Sequence, residues 1–498
     1  MKYFSKDNSE RPHLQKTLSL WNLFTIAFGA IVGTSWTLLV GNWMVLGGGP
    51  LPSMYAFLLA TIILVPIGSA FSELASAIPV AGGAAVHAFR AFGEKPAFLC
   101  GWFLLLSNAL ICPWEAIVIS SLLSDQVAAF PAFAWLRSIK LYSVMHTDIY
   151  LWPVLISAGF CLWVIRSNLR GVQSEARLSA FLVKPLLLGM ALTLSITLFA
   201  GSANNTLPTF VPVSTSALGS TSAQNLPEGV IAVLAIAPFY YAGFDTITIH
   251  AGEAARGINW SKFGKVISLA ILAAGCFYLV SIYSFGTLMP WREFIQSPSP
   301  ALSTLKQLNI FAYAIMIGVM IFGSLGPMNA FLGASSRIAY GLARHHQLPS
   351  CLMHLNDTGN VPDVACYILA GVTVAGPLLG HDILTPLATV ASAGFIFSCV
   401  AASFSCLKLR FSEPDLARPY KVPGGMVGIS IACINSLILL FFIVMPGVPS
   451  SLTASNWLVL LLWTCLGYTL HRHTHRGGFT EQSSEDAELV IDAEIRKR

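Results

Sequence analysis

Unbroken apolar stretches about twenty residues long recur along this chain, and no other feature of the sequence restricts its fold so severely. A segment of that length crosses the hydrocarbon of a bilayer as an α-helix. Hydrocarbon offers no hydrogen-bond partners, so a spanning backbone must satisfy its own N–H and C=O groups, as helices and closed barrels do. Barrel strands read as alternating segments of about ten residues, and these runs do not alternate. Only 10% of the residues are charged and 55% are hydrophobic, whereas a soluble domain carries about 25% charged residues. The expected class is an all-α polytopic membrane protein.

Twelve transmembrane helices are expected, centred near Val32, Ile63, Leu106, Ser157, Met190, Leu234, Gly275, Val319, Gly371, Phe395, Leu437 and Leu460. The first run, Leu18 to Leu46, follows a polar stretch that lacks the short apolar core and cleavage site of a signal peptide, so it reads as a retained helix. Basic residues set the orientation. With both termini in the cytoplasm, inner segments hold 23 Lys and Arg, and outer loops hold Arg137, Lys140, Arg292 and Lys306; Lys184, within a helix, completes the 28. The expectation is a multi-pass protein of the plasma (cytoplasmic) membrane. Topology explains the net charge of +5, so no nucleic-acid partner is inferred. The ten cysteines fall mostly in apolar segments without metal-ligand spacing and read as small core residues.

Two helices carry internal breaks. The first contains Gly29 to Trp36, with Gly33, Thr34 and Ser35 at its centre, and the sixth contains Pro238 to Asp245. Each opens a set of five helices, and matched breaks in two halves point to a binding site near the bilayer midplane. The free N–H groups at the start of a half-helix favour a carboxylate, and the free carbonyls at its end favour an ammonium. An amino acid carries both. Close packing through small residues is the competing reading of the glycines.

Five stretches then carry a family resemblance. They are Gly29 to Trp36, Glu73 to Gly83, Gly243-Phe244-Asp245 with Gly252-Glu253-Ala254, Ser336 to Arg344 with Leu348-Pro349, and Arg418 to Gly425. In this order on a twelve-helix chain they resemble the amino acid–polyamine–organocation (APC) superfamily of permeases, over about residues 15 to 470. The resemblance implies a five-plus-five inverted repeat (LeuT-like) with two peripheral helices. The expected organisation is a tail over 1–17, a first repeat over 18–200, an extracytoplasmic loop over 201–226, a second repeat over 227–411, helices eleven and twelve over 412–470, and a tail over 471–498. It also implies that backbone around Gly33, Thr34 and Ser35 holds a substrate carboxylate. Carbonyls near Ile31, Phe239 and Ala242, beside Gly243, would hold the amino group, and Phe239 matches the aromatic gate. Ser35 and Trp36 depart from the family pattern and would fill space near the site.

Ionisable residues inside a membrane are functional candidates, because centring one costs about 2.5–3.5 kcal/mol even on the insertion scale. Lys184 matches the helix-five lysine that stands in for sodium in similar APC members, and a proton-coupling role follows; snorkelling to the interface is the other reading. Glu115 in helix three either faces the cavity or pairs with Lys184. Asp245 either serves the site or caps the second half-helix. Glu73 and Glu253 are expected near the cytoplasmic ends, in an inner gate network with Arg337 or nearby basic residues; a solvated cytoplasmic cluster is the other reading.

The expected function is secondary active transport of amino acids by alternating access, proton-coupled or exchanging, as symporter or antiporter. Two alternatives stand: transport of amines of the polyamine or ethanolamine type, and a nutrient sensor without flux. No nucleophile–base pair or metal motif suggests an enzyme, and no cofactor is expected. The loop from about Asp125 to Tyr150 has no cysteine, so no disulfide-linked heavy subunit is expected. Asn204-Asn205-Thr206 matches a glycosylation sequon.

Overall fold

Each long helix begins and ends where the local sequence supplies a reason. The first, α1 (Leu20–Ile31), starts at Ser19, whose side chain accepts from the Asn22 N–H at 3.2 Å. Its continuation, α2 (Ser35–Gly47), stops at Gly48, which takes the left-handed conformation at φ 69°. Proline at its first position opens α3 (Pro50–Ala77), where the missing N–H is not needed. After α4 (Ala84–Phe92) come α5 (Glu94–Ala129) and a β-hairpin of β1 (Lys140–Val144) and β2 (Thr147–Tyr150). Then follow α6 (Leu151–Leu169), α7 (Val172–Ala200), α8 (Leu226–Tyr241) and the single turn α9 (Thr246–Ile249). Asn259 caps α10 (Trp260–Leu288) by accepting from the Lys262 N–H. Short helices α11 (Trp291–Phe294) and α12 (Pro300–Leu308) lead to α13 (Ile310–Arg344), capped by Asn309. The chain ends in α14 (Asp363–Ala375), α15 (Leu384–Ser412), α16 (Met426–Val444) and α17 (Ala454–His475). This computed structural model describes residues 16–475 apart from 130, 145–146, 203–204, 206–225, 256, 297–299, 358–360 and 448–450. Both polar tails up to residue 15 and beyond residue 475, most of the loop over 201–226, and Asn204 of the sequon therefore lie outside the described residues.

Among the described residues, nine helical segments are long and apolar enough to cross a membrane; α1 and α2, bent by 49°, make a tenth if the pair is one crossing. The segment Asp363–Leu379 is apolar but shorter. The protein is an integral, multi-pass membrane protein. Large apolar side chains such as Leu162, Leu188, Phe199 and Phe311 stand exposed on the outer faces of their helices, an arrangement that lipid tolerates and water does not.

The inner bundle pairs α3 with α10, α5 with α13 and α15, and α7 with α13. α16 and α17 sit at its edge. Asn435 of α16 donates to the Ile63 carbonyl of α3 at 2.9 Å. On α17, Trp463 stacks on Trp102 of α5 with centroids 4.2 Å apart, and each indole N–H donates to the other residue's carbonyl.

Candidate functional site

The first break lies between α1 and α2. Val32 leaves helical geometry at φ −98°, ψ 86°, and helix resumes at Ser35, whose side chain lies outside the description. Small residues let α13 approach closely. A methyl group on Gly33 would sit 3.0 Å from both Glu115 Oε1 and Pro327 Cγ, and one on Gly326 would sit 3.0 Å from the Gly29 carbonyl oxygen. Among the described residues, the N–H groups of Gly33 and Thr34 donate to no protein acceptor.

The second break follows α8. Gly243 takes φ 120°, a region that side chains disfavour. A Cβ there would fall 2.8 Å from the carbonyl carbon of Ala30 and 3.0 Å from the Ile31 nitrogen. The two breaks thus touch backbone to backbone. Tyr278 of α10 joins them from behind: its hydroxyl lies 3.2 Å from the Ile31 carbonyl and 2.8 Å from the Tyr240 carbonyl.

Two buried carboxyl groups flank the contact. Thr34 Oγ1 donates to Glu115 Oε2 at 3.3 Å and lies 3.1 Å from Ser324 Oγ. Among the described residues Glu115 has hydroxyl partners and no basic one. Asp245 Oδ1 accepts from the Gly243 N–H at 3.2 Å; among the described residues Oδ2 is buried with no hydrogen bond of good geometry, and the Asn108 side chain stands beside the carboxyl. Asp245 stands at the start of α9 but its side chain makes no capping bond there; it holds the turn before it instead.

A cavity of about 910 Å³ opens toward the β-hairpin end of the bundle. Leu38, Trp114, Val118, Phe239 and Leu384 give it apolar walls, and Asp125, Arg137, Asp148 and Asp382 stand among its polar lining groups. Trp114 and Phe239 meet edge to face with centroids 6.1 Å apart, and the Trp114 indole donates to the Leu384 carbonyl at 3.1 Å.

The structure gathers Ile31, Gly33, Thr34, Glu115, Ala242, Gly243 and Asp245 around the paired breaks, with Phe239 on the cavity wall. Two expectations change. Lys184 is exposed, while Leu182, Val183 and Leu186 are buried; Val183 lies against Gly29, so helix geometry turns the lysine away from the break and from Glu115. Trp36 is fully buried against Phe277 and Phe285 of α10, with ring centroids at 5.0 and 6.2 Å, so it packs behind the site and leaves the cavity free.

The opposite end is sealed. Arg337 of α13 pairs with Glu253 through Nε and Nη2, and with Glu175 of α7 at 2.9 Å. Glu175 also meets His250 Nε2 at 3.0 Å. The Glu253 carbonyl accepts from the N–H groups of Thr17 and Leu18, fastening the stretch that enters α1. Glu73 pairs with the basic residues Arg410 and Arg418, and accepts from the Val422 N–H. Glu175 and His250 were missed in the sequence. His250 and Glu253 stand three apart and so share a helix face, which is a signal; nothing local marks Glu175.

A sequence profile described as amino acid permease matches residues 18–468. Among curated proteins of Bacillus subtilis (strain 168), the chain is similar to a methylthioribose transporter, at 24% identity over 94% of this chain and 95% of the relative. It is similar to a branched-chain amino acid permease at 24% identity, covering 93% and 94% of the two chains. It is also similar to an aspartate–proton symporter at 23% identity, covering 92% and 85%.

Proposed function

Because the chain belongs to the amino acid permease family and is thereby a transporter rather than an enzyme, we propose that it carries amino acids across the membrane by alternating access. The observation that carries this reading is the contact of the two helix breaks, Gly243 against Ala30 and Ile31, beside a cavity open at one end. Unpaired N–H groups of Gly33 and Thr34, with the start of α2 at Ser35, receive the carboxylate. The Ile31 and Ala242 carbonyls receive the ammonium. A carbonyl oxygen has two lone pairs, so the bond from Tyr278 leaves Ile31 able to accept another. Phe239 and Trp114 close over the bound molecule. The apolar walls favour a small or aliphatic side chain, in keeping with the relative named for branched-chain amino acids.

The coupling role falls to Glu115. An ionised carboxylate buried with hydroxyl partners alone is costly, so a proton or the substrate ammonium supplies the missing positive charge. Asp245, buried beside the Asn108 side chain and among the described residues without a basic partner, is a second candidate. Lys184 is assigned to the lipid interface.

The LeuT-like repeat finds support in the packing. Exchanging each of the first five crossings for the one five later preserves the partners: α7 on α13 becomes α15 on α5, α5 on α6 becomes α13 on α14, and α3 on α15 becomes α10 on α7. Counting α1–α2 as one crossing and adding α14 and α17 gives twelve. The distribution of basic residues supports an orientation with the cavity mouth outside and both termini in the cytoplasm, and the plasma membrane is the location we propose.

Uptake of a radiolabelled amino acid panel into proteoliposomes under an inward proton gradient, without sodium, tests the proposal. Saturable uptake that a protonophore collapses is the expected result. A cationic amine is the second reading, favoured by the acidic groups Asp125, Asp148 and Asp382 among the cavity's lining residues. If neither amino acids nor amines move by uptake or exchange, the transport reading fails and the sensor reading replaces it.

A further inference from the structure

The four buried side chains at the sealed end require a proton that the amino-acid site does not explain. His250 Nδ1 lies 2.7 Å from the Thr246 carbonyl. A carbonyl only accepts, so Nδ1 carries hydrogen. A neutral imidazole then presents a lone pair at Nε2, which faces Glu175 Oε1 across 3.0 Å. Two lone pairs at that separation repel. A hydrogen must stand between them, on Nε2 as an imidazolium or on Oε1 as a carboxylic acid. In either form the pair holds one proton more than a neutral histidine and a carboxylate do.

Charge balance leads to the same count. Glu175, Glu253, Arg337 and His250 have side chains no more than 2% exposed. With the proton, the two carboxylates, the guanidinium and the imidazolium sum to zero. Without it, among the described residues, one negative charge is buried uncompensated, which is strongly unfavourable. Among the described residues, the other titratable group beside the cluster is the Cys366 thiol of α14; Asn329, which donates to the Glu175 backbone carbonyl and to Ser179, and Asn168, which donates to Asn329, are neutral. The Glu175 carboxyl fits because α13 has glycine at 333, where a Cβ would lie 2.3 Å from Oε1.

The cluster also has the right position to act. It ties α7, α13 and the end of the sixth crossing together, and through the Glu253 carbonyl it fastens the entry to α1. We propose that one proton shared by His250 and Glu175 keeps this end sealed and that its release lets the end open. The inference rests on alternating access for the meaning of opening, and it adds a proton site remote from Glu115.

Spin labels at Lys16→Cys and the exposed native Cys351, with exposed Cys276 and Cys465 replaced by serine, report the opening by pulsed electron-spin distance measurement in nanodiscs. The sealed form binds the extra proton, so raising the pH favours the open one. The ratio of long to short distances is expected to rise by up to about tenfold per pH unit, the limit for a single linked proton. Glu175→Gln, which supplies a neutral amide, abolishes that response, and His250→Gln does the same if the first variant does not fold. A ratio unchanged by pH, while added amino acids still separate the labels, overturns the proton lock and leaves alternating access standing. Variants that keep the wild-type response overturn it too. Labels that separate under no pH and with no amino acid of the panel overturn both.

Discussion

Replacing Gly243 with alanine tests whether the contact between the breaks is the working part of the site. Two costs follow from the structure. At φ 120° a side chain is strained by about 1–3 kcal/mol. The new methyl group would also stand 2.8 Å from the Ala30 carbonyl carbon and Cβ. That neighbour is partly backbone and cannot swing aside, so overpacking adds about 1–3 kcal/mol. Together the penalty is about 2–6 kcal/mol, which lowers the population of any conformation with the breaks in contact by about thirtyfold or more. Thermal unfolding in detergent and initial uptake rates in proteoliposomes read the effect. Gly243→Ala is expected to melt earlier and to take up substrate at least about tenfold more slowly. Gly159→Ala is the control, since a Cβ at Gly159 on α6 meets nothing within 4 Å and alanine favours a helix interior by about 0.5–1 kcal/mol. Wild-type melting and uptake in Gly243→Ala would refute the reasoning.

Glu115→Gln keeps the shape beside Thr34 and Ser324 but removes the charge; with hydrogen bonds to charged groups contributing about 1.5–3 kcal/mol, gradient-driven uptake should fall about ten- to a hundredfold, measured against exchange at equal pH on both sides. Lys184→Ala should transport as the wild type does, since the side chain is exposed; loss of uptake in Lys184→Ala with rescue by Lys184→Arg would restore the lysine to the coupling machinery. His345, just beyond the end of α13, is stacked on Phe89, and burial pushes its pKa down from 6.5 to about 3. The unfolded chain takes up that proton first, so stability is complete above about 6.5 and falls as the pH drops from there toward about 3; His345→Gln should flatten the acid limb of a melting-temperature profile, and an unchanged limb would contradict the assignment.

Membrane residence, helical class and the family were legible in the sequence because each rests on local chemistry. Runs of about twenty apolar residues can cross hydrocarbon only as helices that satisfy their own hydrogen bonds, and Gly33 and Gly243 mark broken backbone wherever the helices end up. Side-chain direction was a different matter. Lys184 and Val183 are adjacent in sequence, yet helix rotation sends one to the surface and the other against Gly29. Trp36 sits beside the first break but packs on α10, and the Ile31 carbonyl receives a hydroxyl from Tyr278, 247 residues away. The meeting of Glu175, His250, Arg337 and Glu253 depends on three crossings that only the folded bundle brings together. The sequence by itself determined the solvent this protein lives in and where its helices break, since apolar length and missing side chains act locally. Tertiary structure alone decided which charges are buried together and which face lipid, because those depend on helix rotation and on partners far apart in the chain.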